Sequence, residues 1–166
     1  SINNPLWSDG TTKQRFFAIP DTTTITVNSR GDFIFPVGSV LIKNFLHNDR
    51  LIETRFLMHH EGGWGGYSYE WNEQGTDATL STGAHTRVID ENYTHIYPSS
   101  TQCFQCHTQA ANVMLGPETA QLNRNQRYET TGITSHQLDT LEYVGYFTAE
   151  LSNHQRSRVL PALDDI

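Results

Sequence analysis

The chain has 166 residues, and its 11 Lys and Arg stand against 18 Asp and Glu, which gives a formal net charge of −7. Hydrophobic residues make up 36% and charged residues only 17% of the chain, so a real core can form and disorder is excluded as the main state. The acidic balance and the absence of a Lys/Arg-rich run disfavour nucleic acid and anionic membrane surfaces as partners. No apolar run approaches the roughly 18 residues of a membrane span.

Residues 1–98 have the pattern of a β-rich region, because short apolar or alternating stretches are separated by Asp, Asn, Gly and Pro. The clearest hairpin joins strands over 50–60 and 67–71 through a glycine cluster at 61–66. Alternation predicts one more apolar face, formed by Ile52, Thr54, Phe56, Met58 and His60. It predicts an opposite face formed by Leu51, Glu53, Arg55, Leu57 and His59.

Both cysteines of the chain lie in the segment Cys103-Phe104-Gln105-Cys106-His107. This CxxCH spacing is the attachment signature of haem c: two thiols add to the vinyl groups of one porphyrin, and the adjacent His becomes an axial iron ligand. Chance gives such a motif about once in a thousand sequences of this composition. A strained disulfide, a thioredoxin-like pair and a zinc half-site are the weaker interpretations. The motif therefore predicts one covalently bound haem, on Cys103, Cys106 and His107.

After Pro98 the pattern becomes helical. Gly116 and Pro117 predict a helix over 117–123, and a capping box at 134–137 with Gly145 as a stop predicts a second helix. We therefore expect an α+β fold, with a β-rich N-terminal sheet or sandwich and a C-terminal helical haem-binding segment. We expect one c-type cytochrome domain over 1–166, divided into a β-rich part (1–98), a haem-attachment and helical part (99–150) and a tail or linker (151–166). The start at Ser1 without a Met indicates either a processed mature protein or a segment of a longer one, and we favour a domain of a larger secreted protein. We expect this domain to be monomeric.

The sixth iron ligand is less well marked. Met114 lies seven residues after His107 and would meet the proximal side of the haem. Met58 is the first candidate and His60 the second, although Met58 also suits core packing and His60 a solvated turn. An open site is the remaining alternative. Other histidines have no pattern that selects them: His47, His59, His85, His95, His136 and His154.

Several charged residues have two interpretations. Lys43, one of only two lysines, is expected to extend its amine into water from a strand. Glu53 and Arg55 share a strand face and predict either a structural pair or a contact to a haem propionate. Arg124 and Arg127 are equally suited to a propionate.

Seven blocks, with five single residues, together resemble a family of bacterial monohaem c-type cytochrome domains. The blocks are PLWSD (5–9), FIFPVGSVLIK (33–43), RLIETR (50–55), YEWN (69–72), CFQCH (103–107), LGP (115–117) and LNR (122–124), and the single residues are Lys13, Arg15, Thr76, Ala78 and Leu80. The resemblance covers roughly residues 5–147. It implies a periplasmic or secreted domain, sometimes joined to redox or carbohydrate-active modules, and carries over Cys103, Cys106 and His107 as haem-binding residues. It does not assign a sixth ligand, and Val is expected in this family where the chain has Met58.

These observations predict an electron-transfer domain that passes single electrons to a secreted or periplasmic redox partner. The alternative is a five-coordinate haem enzyme or small-ligand sensor with an open distal site, and a carbohydrate-binding β-module is a third reading. The resemblance to domains found beside carbohydrate-active modules implies a secreted copper oxidase acting on polysaccharide as one partner. Covalent haem attachment takes place outside the cytoplasm, so the expected location is periplasmic or secreted.

Overall fold

A computed structural model describes residues 2–4, 10–109 and 113–161. Within these ranges 43% of residues lie in strands or bridges and 15% in helices. The PLWSD block at 5–9 and the end of the tail, 162–166, lie outside the described residues.

Eleven strands and four short helices are described. In chain order they are β1 (Thr12–Ala18), β2 (Thr26–Val27), β3 (Phe33–Ile34), β4 (Val40–His47), β5 (Arg50–His60), β6 (Gly63–Trp71), β7 (Ala78–Leu80), β8 (His85–Asp90), β9 (Tyr93–Tyr97), α1 (Ser100–Cys106), α2 (Thr119–Leu122), β10 (Asn125–Tyr128), β11 (Ile133–His136), α3 (Gln137–Tyr143) and α4 (Asn153–Arg156).

The α+β fold class with a C-terminal helical segment is wrong, because the chain is mainly β and strands continue after Pro98. β10 and β11 form an antiparallel pair in which Arg127 lies opposite Thr134. Gly132, with φ of 69°, closes the turn between them, and β-branched Ile133 and Thr134 favour the strand that follows.

The predicted capping box at 134–137 fails for the same reason. Thr134 and Ser135 pair in β11, so α3 begins only at Gln137, and His136 caps it without a side-chain hydrogen bond. Gly145, with φ of 78°, follows the helix as expected. The helix predicted over 117–123 shrinks to the four residues of α2.

The chain divides into two compact units. One comprises Ile19–Pro36 and the chain from Met114 onward, with described residues 2–4; the other comprises residues 10–18 and Val37–Val113. In the first unit, Phe33 and Phe147 pack edge to face with ring centroids 5.2 Å apart. In the second, Phe45, Ile52 and Tyr97 are completely buried. Each unit therefore has its own apolar core.

The second unit is built on an antiparallel five-stranded sheet of order β1-β4-β5-β6-β7. The hairpin predicted from the glycine cluster is confirmed as β5 and β6, with His60 opposite Gly63. Strand β6 begins at Gly63 rather than at Tyr67, because Gly65 and Gly66 stay in register with Met58 and Leu57. None of the described helices is both long and apolar enough to cross a membrane.

Candidate haem-attachment site

Both cysteines of the CxxCH motif lie on α1. Ser99 caps this helix, and the Ser99 side chain and backbone exchange hydrogen bonds with Gln102 in a capping box. His107 follows at the C-terminal cap, and its backbone N–H donates to the carbonyl of Cys103. One helical turn therefore sets the spacing between the two thiols and the imidazole.

Helix α1 approaches the sheet closely at Gly66 of β6. A Cβ atom added to Gly66 would lie 3.1 Å from both Cβ and Sγ of Cys103 and 3.6 Å from the carbonyl oxygen of Ser100. A glycine inside a strand marks such a close approach of another backbone. The absence of a side chain at Gly66 therefore allows Cys103 to pack directly against β6.

The two cysteines form no disulfide and differ in exposure. Cys103 is half-buried, and burial raises the pKa of its thiol. Its Sγ lies 3.6 Å from the carbonyl oxygen of Ser99. Cys106 is exposed, and neither cysteine is in a disulfide. Both side chains are thus available for thioether formation.

The imidazole of His107 is held by one hydrogen bond. Its Nδ1 lies 2.7 Å from the carbonyl oxygen of Val113; because a carbonyl only accepts, Nδ1 carries the proton. Burial, together with the nearby charges of Lys43 and Arg55, lowers the pKa of His107 despite this hydrogen bond, which raises it. The neutral ring therefore has its lone pair on Nε2, the form in which histidine binds metals.

Val113, whose carbonyl accepts the hydrogen bond from His107, has a strained backbone conformation. Val113 has φ of 61°, a left-handed conformation that is an outlier for a β-branched residue. Its N–H donates to the carbonyl of Thr108 at 2.8 Å. Strain of this kind persists only where surrounding contacts determine it, and it is concentrated at functional sites.

The pairing register places the charged residues of the sheet, except Arg50, on the face on which α1 lies. This surface, called the α1 face below, carries Lys13, Arg15, Lys43, Phe45, Glu53, Arg55, Leu57, Gly66, Ser68 and Glu70. Met58 and His60 alternate onto the opposite face, where His60 Nε2 lies 3.2 Å from the Tyr67 hydroxyl. The sheet therefore does not bring Met58 or His60 together with Cys103, Cys106 and His107.

Glu53 is the centre of a buried polar network on the α1 face. Arg55 donates to both carboxylate oxygens, at 2.6 and 2.8 Å, and Ser68 donates to Oε1 at 2.5 Å. His95 Nε2 lies 2.6 Å from Oε2, and its Nδ1 lies 2.6 Å from the Tyr93 hydroxyl. Burial raises the pKa of Glu53, but the hydrogen bonds from His95 and Arg55 outweigh it and the net pKa is lowered. Glu53 and Arg55 thus form a structural pair, and His95 is a member that the sequence interpretation left unranked.

The remaining candidates have other surroundings. Arg124, Arg127 and Met114 belong to the other unit; Arg124 donates to the carbonyl of Ile2, and Arg127 lies 3.8 Å from Glu129. The other histidines contact Asp90 (His47), Trp64 (His59), Glu70 (His85) and Asn123 (His136), while His154 is exposed on α4. Lys43 does not extend freely into water: it is half-buried, with its ammonium 5.1 Å from the ring centroid of Phe45.

Across the described ranges, no three His, Cys, Asp or Glu side chains are grouped so as to hold a metal ion by themselves. Comparison with known proteins finds no match among family models, curated proteins or solved structures. Functional inference therefore rests on the geometry around α1.

Proposed function

We propose that this chain is an electron-transfer domain with one haem c, attached through Cys103 and Cys106 and ligated by His107. The observation that carries the proposal is the hydrogen bond from His107 Nδ1 to the carbonyl of Val113, because it leaves Nε2 as the metal-binding nitrogen. Two cysteines on the same short helix, neither of them in a disulfide, would supply the covalent links. The bound haem would supply one-electron chemistry.

The residues around the motif suit this group. Gly66 leaves room for the backbone beside Cys103, and the exposed Cys106 lies one helical turn further on. The helix at one end and the Val113 carbonyl at the other restrain the imidazole of His107. A ligand that is held in this way moves little when the charge on its metal changes, which favours electron transfer.

The same proposal includes a location and a partner. Covalent haem attachment places the domain in the periplasm or outside the cell, and the partner is a redox protein there. Resemblance to domains found beside carbohydrate-active modules supports a secreted copper oxidase acting on polysaccharide as this partner.

Haem attachment is tested by expression in a host that matures c-type cytochromes. We expect the intact mass to equal the chain plus one haem, and the colour to stay with the protein in acid acetone. The double variant Cys103→Ala, Cys106→Ala should lose the haem. Gln105→Ala, an exposed change between the two cysteines, should keep it. A colourless wild-type protein, or an intact mass equal to the bare polypeptide, contradicts the proposal.

A second function is favoured by the position of Met58 and His60. Because the sheet directs both side chains away from α1, neither is brought to the motif, and an open distal site would make the domain a haem enzyme or small-ligand sensor. Carbon monoxide separates the two functions. Slow or negligible binding by the ferrous protein with a low-spin spectrum supports the electron carrier, whereas rapid binding with high-spin bands supports the second function.

A further inference from the structure

A row of cations crosses the α1 face. Arg15 on β1 lies opposite Lys43 on β4, and Lys43 lies opposite Arg55 on β5, so the three side chains share one face in adjacent strands. Lys13 lies two residues from Arg15 on the same face. A chain with a net charge of −7 and only 11 cations therefore concentrates positive charge beside its cysteine helix.

The carboxylates of this face are already engaged. Glu53 is held by Arg55, Ser68 and His95, and Glu70 is held by Arg87 at 2.5 Å and His85 at 2.7 Å. Among the described residues, no carboxylate lies within ion-pair distance of Arg15 or Lys43. Within this part of the chain Glu53 acts on Lys43 only from beyond ion-pair distance, and neither Arg15 nor Lys43 has a carboxylate in direct contact.

This arrangement is unfavourable without an anion. Burial, followed by repulsion from Arg15, Arg55 and Lys13, lowers the pKa of Lys43 to about 8. Burial also lowers the pKa of Arg15. Half-buried like charges are stabilised when an anion shares their site, and Arg and Lys are the side chains that bind carboxylate and phosphate oxygens.

The position of the pair relates it to the cysteines. Cys103 rests on Gly66 of β6, and β4 is the second strand from β6 in the sheet order. At roughly 4.8 Å between strands, Lys43 is separated from Gly66 by about 10 Å across the sheet, and Arg15 on β1 by about 14 Å. That span is comparable with the width of a porphyrin ring, whose carboxylates lie on the edge opposite the cysteine-linked vinyl groups.

We infer that Arg15 and Lys43 form a binding site for carboxylate or other oxyanion groups on the α1 face. The inference rests on the proposed function for its occupant, the two propionates of the attached haem. A small inorganic oxyanion such as phosphate shares the same chemistry and is the other source of such groups.

The test uses the haem-loaded chain and measures its reduction potential at fixed pH and ionic strength. Arg15→Gln and Lys43→Gln should each lower the potential, because a nearby positive charge favours the ferrous state. Arg50→Gln removes a cation five residues before Arg55 on β5, about 17 Å along the strand, and should leave the potential unchanged. Lys43→Arg keeps the positive charge and should keep the wild-type potential, which separates an effect of charge from an effect of misfolding.

Phosphate titration distinguishes the two occupants. If propionates fill the site, phosphate leaves the potential of the wild-type protein unchanged. If a free oxyanion fills it, phosphate shifts the wild-type potential, and both Gln variants lose that shift. Unchanged potentials in both Gln variants together with no phosphate response overturn the inference. A wild-type chain without haem contradicts the proposed function instead, and calorimetry with phosphate on that chain and the same variants then tests the anion site alone.

Discussion

At the scale of single residues, Glu53 shows how a charge is kept inside this sheet. Its side chain is 0% exposed, yet Arg55, Ser68 and His95 all reach its two oxygens. A buried carboxylate is tolerated only when such partners replace its lost hydration. Removing the charge leaves Arg55 and His95 facing a neutral group, so the network is stable only as a whole.

Glu53→Gln should therefore lower the free energy of unfolding at pH 7 by about 3 kcal/mol. The exposed change Glu73→Gln should alter it by less than about 0.5 kcal/mol. Because the folded-state pKa of Glu53 is lowered, its contribution is present above the unfolded value of about 4.3 and is lost as the pH falls through the folded pKa. Urea unfolding at pH 7 and at lower pH checks both points. A gap between wild type and variant that stays constant on acidification contradicts this account.

Met58 is a second residue whose role the register constrains. It lies between Val40 and Gly65 on the face opposite α1. Met58→Leu should consequently leave the visible spectrum of the haem-loaded protein unchanged, including any band near ~695 nm that reports methionine ligation. His107→Ala is the matched change that should alter the spectrum. Loss of the band in Met58→Leu would restore Met58 as the sixth ligand.

At the scale of elements, the contact between α1 and β6 depends on the absence of one side chain. Gly66 is part of a regular strand, and what it lacks is a Cβ that would meet Cys103 at 3.1 Å. Interiors are packed closely enough that an added methyl group forces neighbouring groups apart. The position of the cysteine helix is thus coupled to one strand residue.

Gly66→Ala should destabilise the fold by about 1–3 kcal/mol and lower the fraction of chains that carry haem. Gly62→Ala is the matched control, since it lies in the same hairpin and its added Cβ has nothing within 4 Å. Haem content per chain, measured by absorbance against protein concentration, and denaturant unfolding give the two readouts. Equal haem content in both variants would show that close packing of Cys103 against Gly66 is not needed for attachment.

The sequence allowed some elements to be predicted and concealed others. The β5–β6 hairpin follows from alternation around glycines, whereas helix α1, which carries both cysteines, was not predicted. The helix cap predicted at 134–137 is wrong because Thr134 and Ser135 suit both a helix cap and a strand, and pairing with β10 places them in a strand. Such pairing is tertiary and leaves no local signal.

The candidate site was predictable only in part. Local spacing makes Cys103, Cys106 and His107 candidates, whereas the contact of Val113 with His107 and the contact of His95 with Glu53 arise only from the fold. Period-two alternation of Tyr93, His95 and Tyr97 along β9 is the one signal that could have ranked His95 as inward-facing. Lys43 was expected in water because a single strand does not reveal which charges its neighbours contribute.

At the scale of the whole molecule, the net charge of −7 and the cations of the α1 face have opposite effects on the attraction of a charged partner. Four of the 11 cations lie on that face, so the remaining sequence is more acidic than the total suggests. Arg55 is paired with Glu53, and the inferred anion neutralises Arg15 and Lys43, so long-range attraction is set by the acidic remainder and favours a partner whose surface near its own redox centre is cationic or neutral.

When reduced protein is mixed with a secreted copper oxidase of that surface charge in a stopped-flow instrument, its haem should be reoxidised on a time scale between the dead time of the instrument and seconds. The rate should fall as the salt concentration rises from about 20 to about 200 mM, because screening weakens attraction between separated charges. A strongly acidic redox protein serves as the control and should react slowly at low salt. Reoxidation no faster than by dissolved oxygen at low salt rules out this partner.

The left-handed backbone conformation of Val113 affects both the stability of the chain and the orientation of the His107 imidazole. For a β-branched residue this conformation costs about 1–2 kcal/mol, while the Val113 carbonyl directs the imidazole of His107. In the haem protein proposed above, a substitution that relaxes the backbone at Val113 should raise stability and loosen the hold on the His107 ring at the same time. Selection for thermal stability should therefore favour changes at Val113 that weaken the orientation of the His107 imidazole.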